Sequence, residues 1–129
     1  MYSVAVTRDF IANHYLVGGD WGDENSPHAH HYVLEVCIES ETLDRHGYLV
    51  DIVEIEAALK TVVDYFRDSM LNDKPEFAGL NPSLEHFSRI LSDKLIAGIS
   101  PPGNGSLTVK LWENESCWAA YRKSFMQAD

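Results

Sequence analysis

Six histidines lie in the 129-residue chain, and three of them share a pattern that the others lack. From Tyr2 to His14 the residues alternate like a half-buried strand. Val4, Val6, Phe10, Ala12 and His14 have one parity, Ser3, Thr7, Asp9 and Asn13 the other, and Arg8 is the one misfit. The alternation returns from His28 to about Ser40. His28, His30, Tyr32, Leu34, Val36 and Ile38 share one face, and His31, Val33, Glu35, Cys37 and Glu39 share the other. His14 therefore ends one apolar face, and His28 and His30 begin a second. If these strands pair as a hairpin, the three imidazoles meet at one end of the sheet. Three histidines in a partly dry pocket suit a catalytic zinc, which takes three protein ligands and keeps a fourth position for water or substrate. The plainer reading is of satisfied core or surface histidines. His31 points to the opposite face, and His46 and His86 belong to no such pattern.

Carboxylates stand near the same end. Glu113 continues the Leu107, Val109 and Leu111 parity, which turns an acid toward the buried side at a strand end. Such a carboxylate needs donors. A ligand edge with two parallel N–H groups would supply them, and so would an Arg or Lys. Asp20, Asp23 and Glu24 precede the histidine pair, where one of them could act as a general base or all could form a solvated acidic loop.

These side chains need elements to position them. Between the first two strands, Gly18 to Pro27 is rich in turn formers. The period then changes. Ile52, Ile55, Leu59, Val62, Val63 and Phe66 trace the stripe of an amphipathic helix capped by Asp51. A second helix is expected from Ser83 to about Ala97, with Asn81 or Ser83 as cap and Leu84, Phe87, Ile90, Leu91 and Leu95 buried. Pro101 to Gly105 breaks the chain. Leu107 to Trp112 alternates as a third strand, Asn114 to Ser116 turns, and Cys117 to Lys123 reads as a fourth. This order predicts an α+β domain, a four-stranded antiparallel sheet with both helices on one face. The open edges and the polar second face, with Glu35 and Glu39, favour a closed homo-oligomer.

The composition agrees with one soluble domain over residues 1–129: 45% hydrophobic and 23% charged. A net charge of −10 disfavours nucleic acid and anionic membrane surfaces as partners. No apolar run approaches the ~18 residues of a membrane span, and Met1 to Phe10 does not look like a signal peptide, so a cytoplasmic protein is expected. Cys37 and Cys117 form no CxxC pair.

Several motifs together resemble the 6-pyruvoyl-tetrahydropterin synthase and 6-carboxy-tetrahydropterin synthase family. They are Phe10-x-Ala12-x-His14, His28-x-His30, Gly47 to Asp51 before a helix, Leu71-Asn72-Asp73, Asn81-Pro82-Ser83-x-Glu85 and Trp112-Glu113. The resemblance spans nearly the whole chain. It implies the tunnelling fold, a strand-strand-helix-helix-strand-strand subunit that forms trimers stacked into hexamers. It also implies that His14, His28 and His30 bind zinc and that Glu113 anchors a pterin ring between subunits. Two departures stand out. Glu24 occupies the position where the family usually has a catalytic cysteine, four residues before His28. Where the family usually has an Asp-His pair upstream of Leu-Asn-Asp, this chain reads Arg67-Asp68 and then Ser69-Met70. A carboxylate at the cysteine position is similar to a family variant that cleaves dihydroneopterin triphosphate to 6-hydroxymethyl-dihydropterin, a step toward folate. The expected function is a zinc-dependent pterin lyase acting on 7,8-dihydroneopterin triphosphate, with Glu24 and Asp68 replacing the lost catalytic groups. The competing expectations are a non-catalytic pterin- or purine-binding protein and a structural ring with a vestigial site.

Overall fold

The computed structural model describes residues 1–126, so the last three positions of the expected domain lie outside the described residues. Strand β1 (Tyr2–His14) is followed by β2 (His28–Ser40), helices α1 (Ile52–Phe66) and α2 (Leu84–Ile96), and then β3 (Gly105–Trp112) and β4 (Trp118–Phe125). The strands form one antiparallel sheet in the order β1-β2-β3-β4. Helix α1 lies over β1, and α2 lies over β3 and β4. The expected α+β arrangement, with both helices on one face, is the one found.

Alternation decides what is buried. Leu34, Val36 and Ile38 of β2 and Leu107, Val109 and Leu111 of β3 are fully buried beneath the helices, together with Ile55, Leu59 and Phe66 of α1 and Phe87, Leu91 and Leu95 of α2. An aromatic cluster of Phe10, Tyr32, Phe66, Phe77 and Phe87, mostly edge to face, fills the end of this core nearest the histidines. The helix starts follow from their caps. The Asp51 carboxylate accepts from Val53 N–H at 2.9 Å, and the Ser83 hydroxyl, rather than Asn81, accepts from His86 N–H at 3.1 Å.

Three strand limits differ from expectation, one of them the end of β4, at Phe125 rather than Lys123. Strand β3 begins at Gly105, because a Cβ there would lie 2.0 Å from the Glu39 carbonyl oxygen and glycine lets the strands approach. Strand β4 begins at Trp118, because the Asn114 side chain accepts from the N–H groups of Ser116 and Cys117, both at 2.9 Å, and holds them in the turn. The outer edge of β1 is covered near its end. Asp68 N–H donates to the Ile11 carbonyl at 2.7 Å, and Asn13 N–H donates to the Ser69 carbonyl at 2.8 Å.

Candidate metal centre

The hairpin register sets His14 opposite His28 and Ala12 opposite His30. Side chains two apart on one strand share a face, so the three imidazoles converge, and the small Ala12 leaves room beside them. His14 Nε2 lies 2.9 Å from His28 Nε2, which lies 3.1 Å from His30 Nε2. All three ligand atoms fall within 4.8 Å of one another. The expected meeting of His14, His28 and His30 therefore occurs, and together they could hold a metal ion.

The surroundings fit that use. His28 Nδ1 lies 2.8 Å from the Ser26 carbonyl, which can only accept, so Nδ1 carries the proton and Nε2 presents a lone pair. His14 Nδ1 lies 3.2 Å from the Tyr32 hydroxyl, a second support of the kind that orients ligating histidines. His14 is 4% exposed. Burial, reinforced by the neighbouring His30 and His28, pushes its pKa down to about 4, so it is neutral at neutral pH, the form in which an imidazole can bind a metal. Tyr32 is pushed up from its ordinary value by burial and then by the Glu113 carboxylate, which keeps its hydroxyl protonated.

His14 opens onto a cavity of about 200 Å³ walled also by Leu16, Trp21, Glu24, Asn81, Ser83, Glu85 and Glu113. Three carboxylates facing one space favour a bound cation. Glu113 sits just beyond β3, half-buried, with Oε2 3.9 Å from His30 Nε2. Among the described residues no Arg or Lys forms a salt bridge with Glu113; the contact within 4 Å is to a ring nitrogen of the cluster. Glu24 is exposed in a short helical turn (Gly22–Asn25) and lines the same cavity.

Other sequence candidates are placed elsewhere. Asp68 lies outside the walls of this cavity, past the end of α1 with φ 59°, and its backbone is bonded to the β1 edge. The Asp20 carboxylate accepts from Gly22 N–H at 3.1 Å. His31 pairs with Asp9 at 2.6 Å on the opposite face. His86 Nδ1 donates to the Asn81 carbonyl at 2.7 Å. Sequence reasoning placed Tyr32 on the right face but gave its hydroxyl no part, and it assigned no site role to Trp21, Asn81, Ser83 or Glu85. The parity shared by Tyr32 and His30 was the available signal for the first. The others come from the loop before β2 and from the start of α2 with the segment leading into it, which only the folded chain brings together.

A family model described as 6-pyruvoyl tetrahydropterin synthase matches residues 3–124. The chain belongs to this family of pterin lyases. A curated relative, 6-pyruvoyl tetrahydrobiopterin synthase of Dictyostelium discoideum, is 32% identical over 97 residues, covering 74% of this chain and 70% of the relative. The Caenorhabditis elegans 6-pyruvoyl tetrahydropterin synthase structure superposes with a TM-score of 0.81 at 21% identity, over 95% of this chain and 96% of that one. A Plasmodium vivax 6-pyruvoyltetrahydropterin synthase, a mutant with a catalytic glutamate changed to alanine, superposes at 0.75 with 11% identity, over 96% and 98%. The expected tunnelling fold is therefore found, and the resemblance seen in the motifs holds.

Proposed function

We propose that the chain is a zinc-dependent lyase acting on 7,8-dihydroneopterin triphosphate or a close relative, and that it cleaves the side chain to give 6-hydroxymethyl-dihydropterin. The observation that carries this reading is that His14, one of three converging imidazoles, shares a cavity with the carboxylates Glu24 and Glu113. His14, His28 and His30, with Nε2 atoms 2.9 Å apart for the first two and 3.1 Å apart for the last two, would hold the zinc. Bound there, it would polarise the substrate's side-chain hydroxyls and lower their pKa.

The chain's own residues do the rest. Glu113 accepts two hydrogen bonds from the amidine-like edge of the pterin ring. Glu24 takes the proton from the 2′-hydroxyl as the C1′–C2′ bond breaks, the remainder of the side chain leaves as an aldehyde, the electron pair passes into the C=N bond of the dihydropterin ring, and a proton returned to C1′ completes the hydroxymethyl group. A glutamate is also the residue described as catalytic in the Plasmodium vivax relative. Asp68, exposed and outside these walls, is the next candidate for the base if Glu24→Ala keeps the parental turnover. Among the described residues the edge of β4, and the edge of β1 apart from the part that residues 68 and 69 cover, support a homo-oligomer, by resemblance a hexamer of two trimers, and light scattering tests it.

The deciding experiment incubates zinc-loaded protein with dihydroneopterin triphosphate and identifies the product by mass. Glu24→Ala should lower turnover by ~10²–10⁴ while zinc content holds. Absence of turnover by the parental protein on any dihydropterin would favour a pterin-binding protein instead.

A further inference from the structure

The loop that carries Glu24 has every reason to wander. It includes Gly18, Gly19 and Gly22, with Gly18 at φ +87° and Gly22 at φ +65°, and glycine loses the most backbone freedom when a chain is fixed. Glu24 itself is exposed, so its side chain is not held by packing. One side chain nevertheless closes this loop on itself. Asn25 donates from Nδ2 to the carbonyls of Leu16 at 3.1 Å and Gly19 at 3.0 Å, and its Oδ1 accepts from Trp21 N–H at 2.8 Å. Leu16 N–H in turn donates to the Glu24 carbonyl at 2.9 Å. Both backbone polar groups of Leu16 are thereby tied to residues 24 and 25, two positions after the ligand candidate His14.

The closed loop is then fastened from outside. Asn72 Oδ1 accepts from Tyr15 N–H at 3.0 Å and its Nδ2 donates to the Tyr15 carbonyl at 2.9 Å, while Asn81 Oδ1 accepts from Val17 N–H at 2.9 Å. Asn72 and Asn81 fix the loop's base; Asn25 fixes its shape, and with it the distance from Glu24 to the histidines.

We propose that Asn25 is a positioning residue that acts through Glu24, holding its carboxylate over the metal centre by closing residues 16–25 into a rigid loop. This rests on the reading of Glu24 as the base. The reach of a base must be right to within about an ångström, and a misplacement of that size can cost ~10²-fold in rate.

The test is a double-mutant cycle on the zinc-loaded protein with Asn25→Ala and Glu24→Gln. Asn25→Ala alone should lower kcat about 10- to 100-fold with zinc content unchanged, and it should speed hydrogen exchange at the Leu16 amide. In the Glu24→Gln background it should lower kcat no further. Asn25→Asp, isosteric and still able to accept from Trp21 N–H, loses both donors and should show the same coupling; it serves if the alanine variant folds poorly. An equal fall in both backgrounds would make Asn25 a general scaffold residue and overturn the proposal. So would unchanged Leu16 exchange, which is readable even without turnover. Parental activity in Glu24→Gln would overturn the base assignment and this inference together, whereas a slow Glu24→Gln with a fully active Asn25→Ala would overturn this inference alone.

Discussion

Replacing Tyr32 by Phe removes one oxygen atom from the core and leaves the packing around it intact. The ring is 1% exposed, stacks on Phe10 with centroids 5.4 Å apart, and meets Phe87 edge to face at 5.3 Å, contacts that phenylalanine keeps. What goes is the 3.2 Å contact between the hydroxyl and His14 Nδ1. When His14 Nε2 gives its lone pair to a metal, Nδ1 must carry the proton, and the Tyr32 oxygen is its acceptor. Loss of a buried donor's partner costs about 1–3 kcal/mol, and the length of this bond, with the backbone of Pro82 also hydrogen-bonded to His14, argues for the lower end. At ~1.4 kcal/mol per decade, metal affinity should fall roughly tenfold. Competition titration against a zinc chelator reads this directly, and denaturant unfolding of metal-free protein supplies the control. If affinity is unchanged while metal-free stability drops by the full hydrogen-bond energy, the hydroxyl serves the core alone and the argument that it orients a ligand is wrong.

The double variant His28→Ala with His30→Ala should lose stoichiometric metal by elemental analysis, whereas His31→Ala, on the opposite face with Asp9, should keep it. Glu113→Gln turns one acceptor into a donor, so calorimetry should show pterin binding weakened by about 1.5–3 kcal/mol with zinc retained; unchanged affinity would remove Glu113 from the site. Metal-free protein should lose stability as pH falls from 6.5 toward 4. His14 takes up its proton near 6.5 when unfolded but only at about 4 when folded, so in that window the unfolded chain binds more protons and stability rises with pH. Up to about 3 kcal/mol should be recovered between those limits in a pH series of denaturant unfolding, at 1.36 kcal/mol per pH unit. His14→Asn should flatten that slope.

What the sequence determined by itself is whatever depends on periodicity and local chemistry. Alternation placed His14, His28 and His30 on one face and excluded His31, because a strand's side chains can point only two ways. The stripes of α1 and α2, and the caps Asp51 and Ser83, were readable for the same local reason. Tertiary structure decided the distances and the walls. That Nε2 atoms of strands joined by a 13-residue loop come within 3 Å depends on a register in which His14 faces His28, which no local pattern fixes. Glu85 and Ser83 stand some sixty residues from Glu24 in the chain yet share its cavity, because α2 packs its first turn at the end of the sheet where the histidines lie. Asp68 shows the converse. Its sequence position near Leu71-Asn72-Asp73 suggested a place by the metal, but the chain leaves α1 with a left-handed turn there and is drawn by backbone hydrogen bonds onto the edge of β1. Backbone hydrogen bonding is blind to side-chain identity, so where it docks a segment is settled only when the sheet edge exists to receive it.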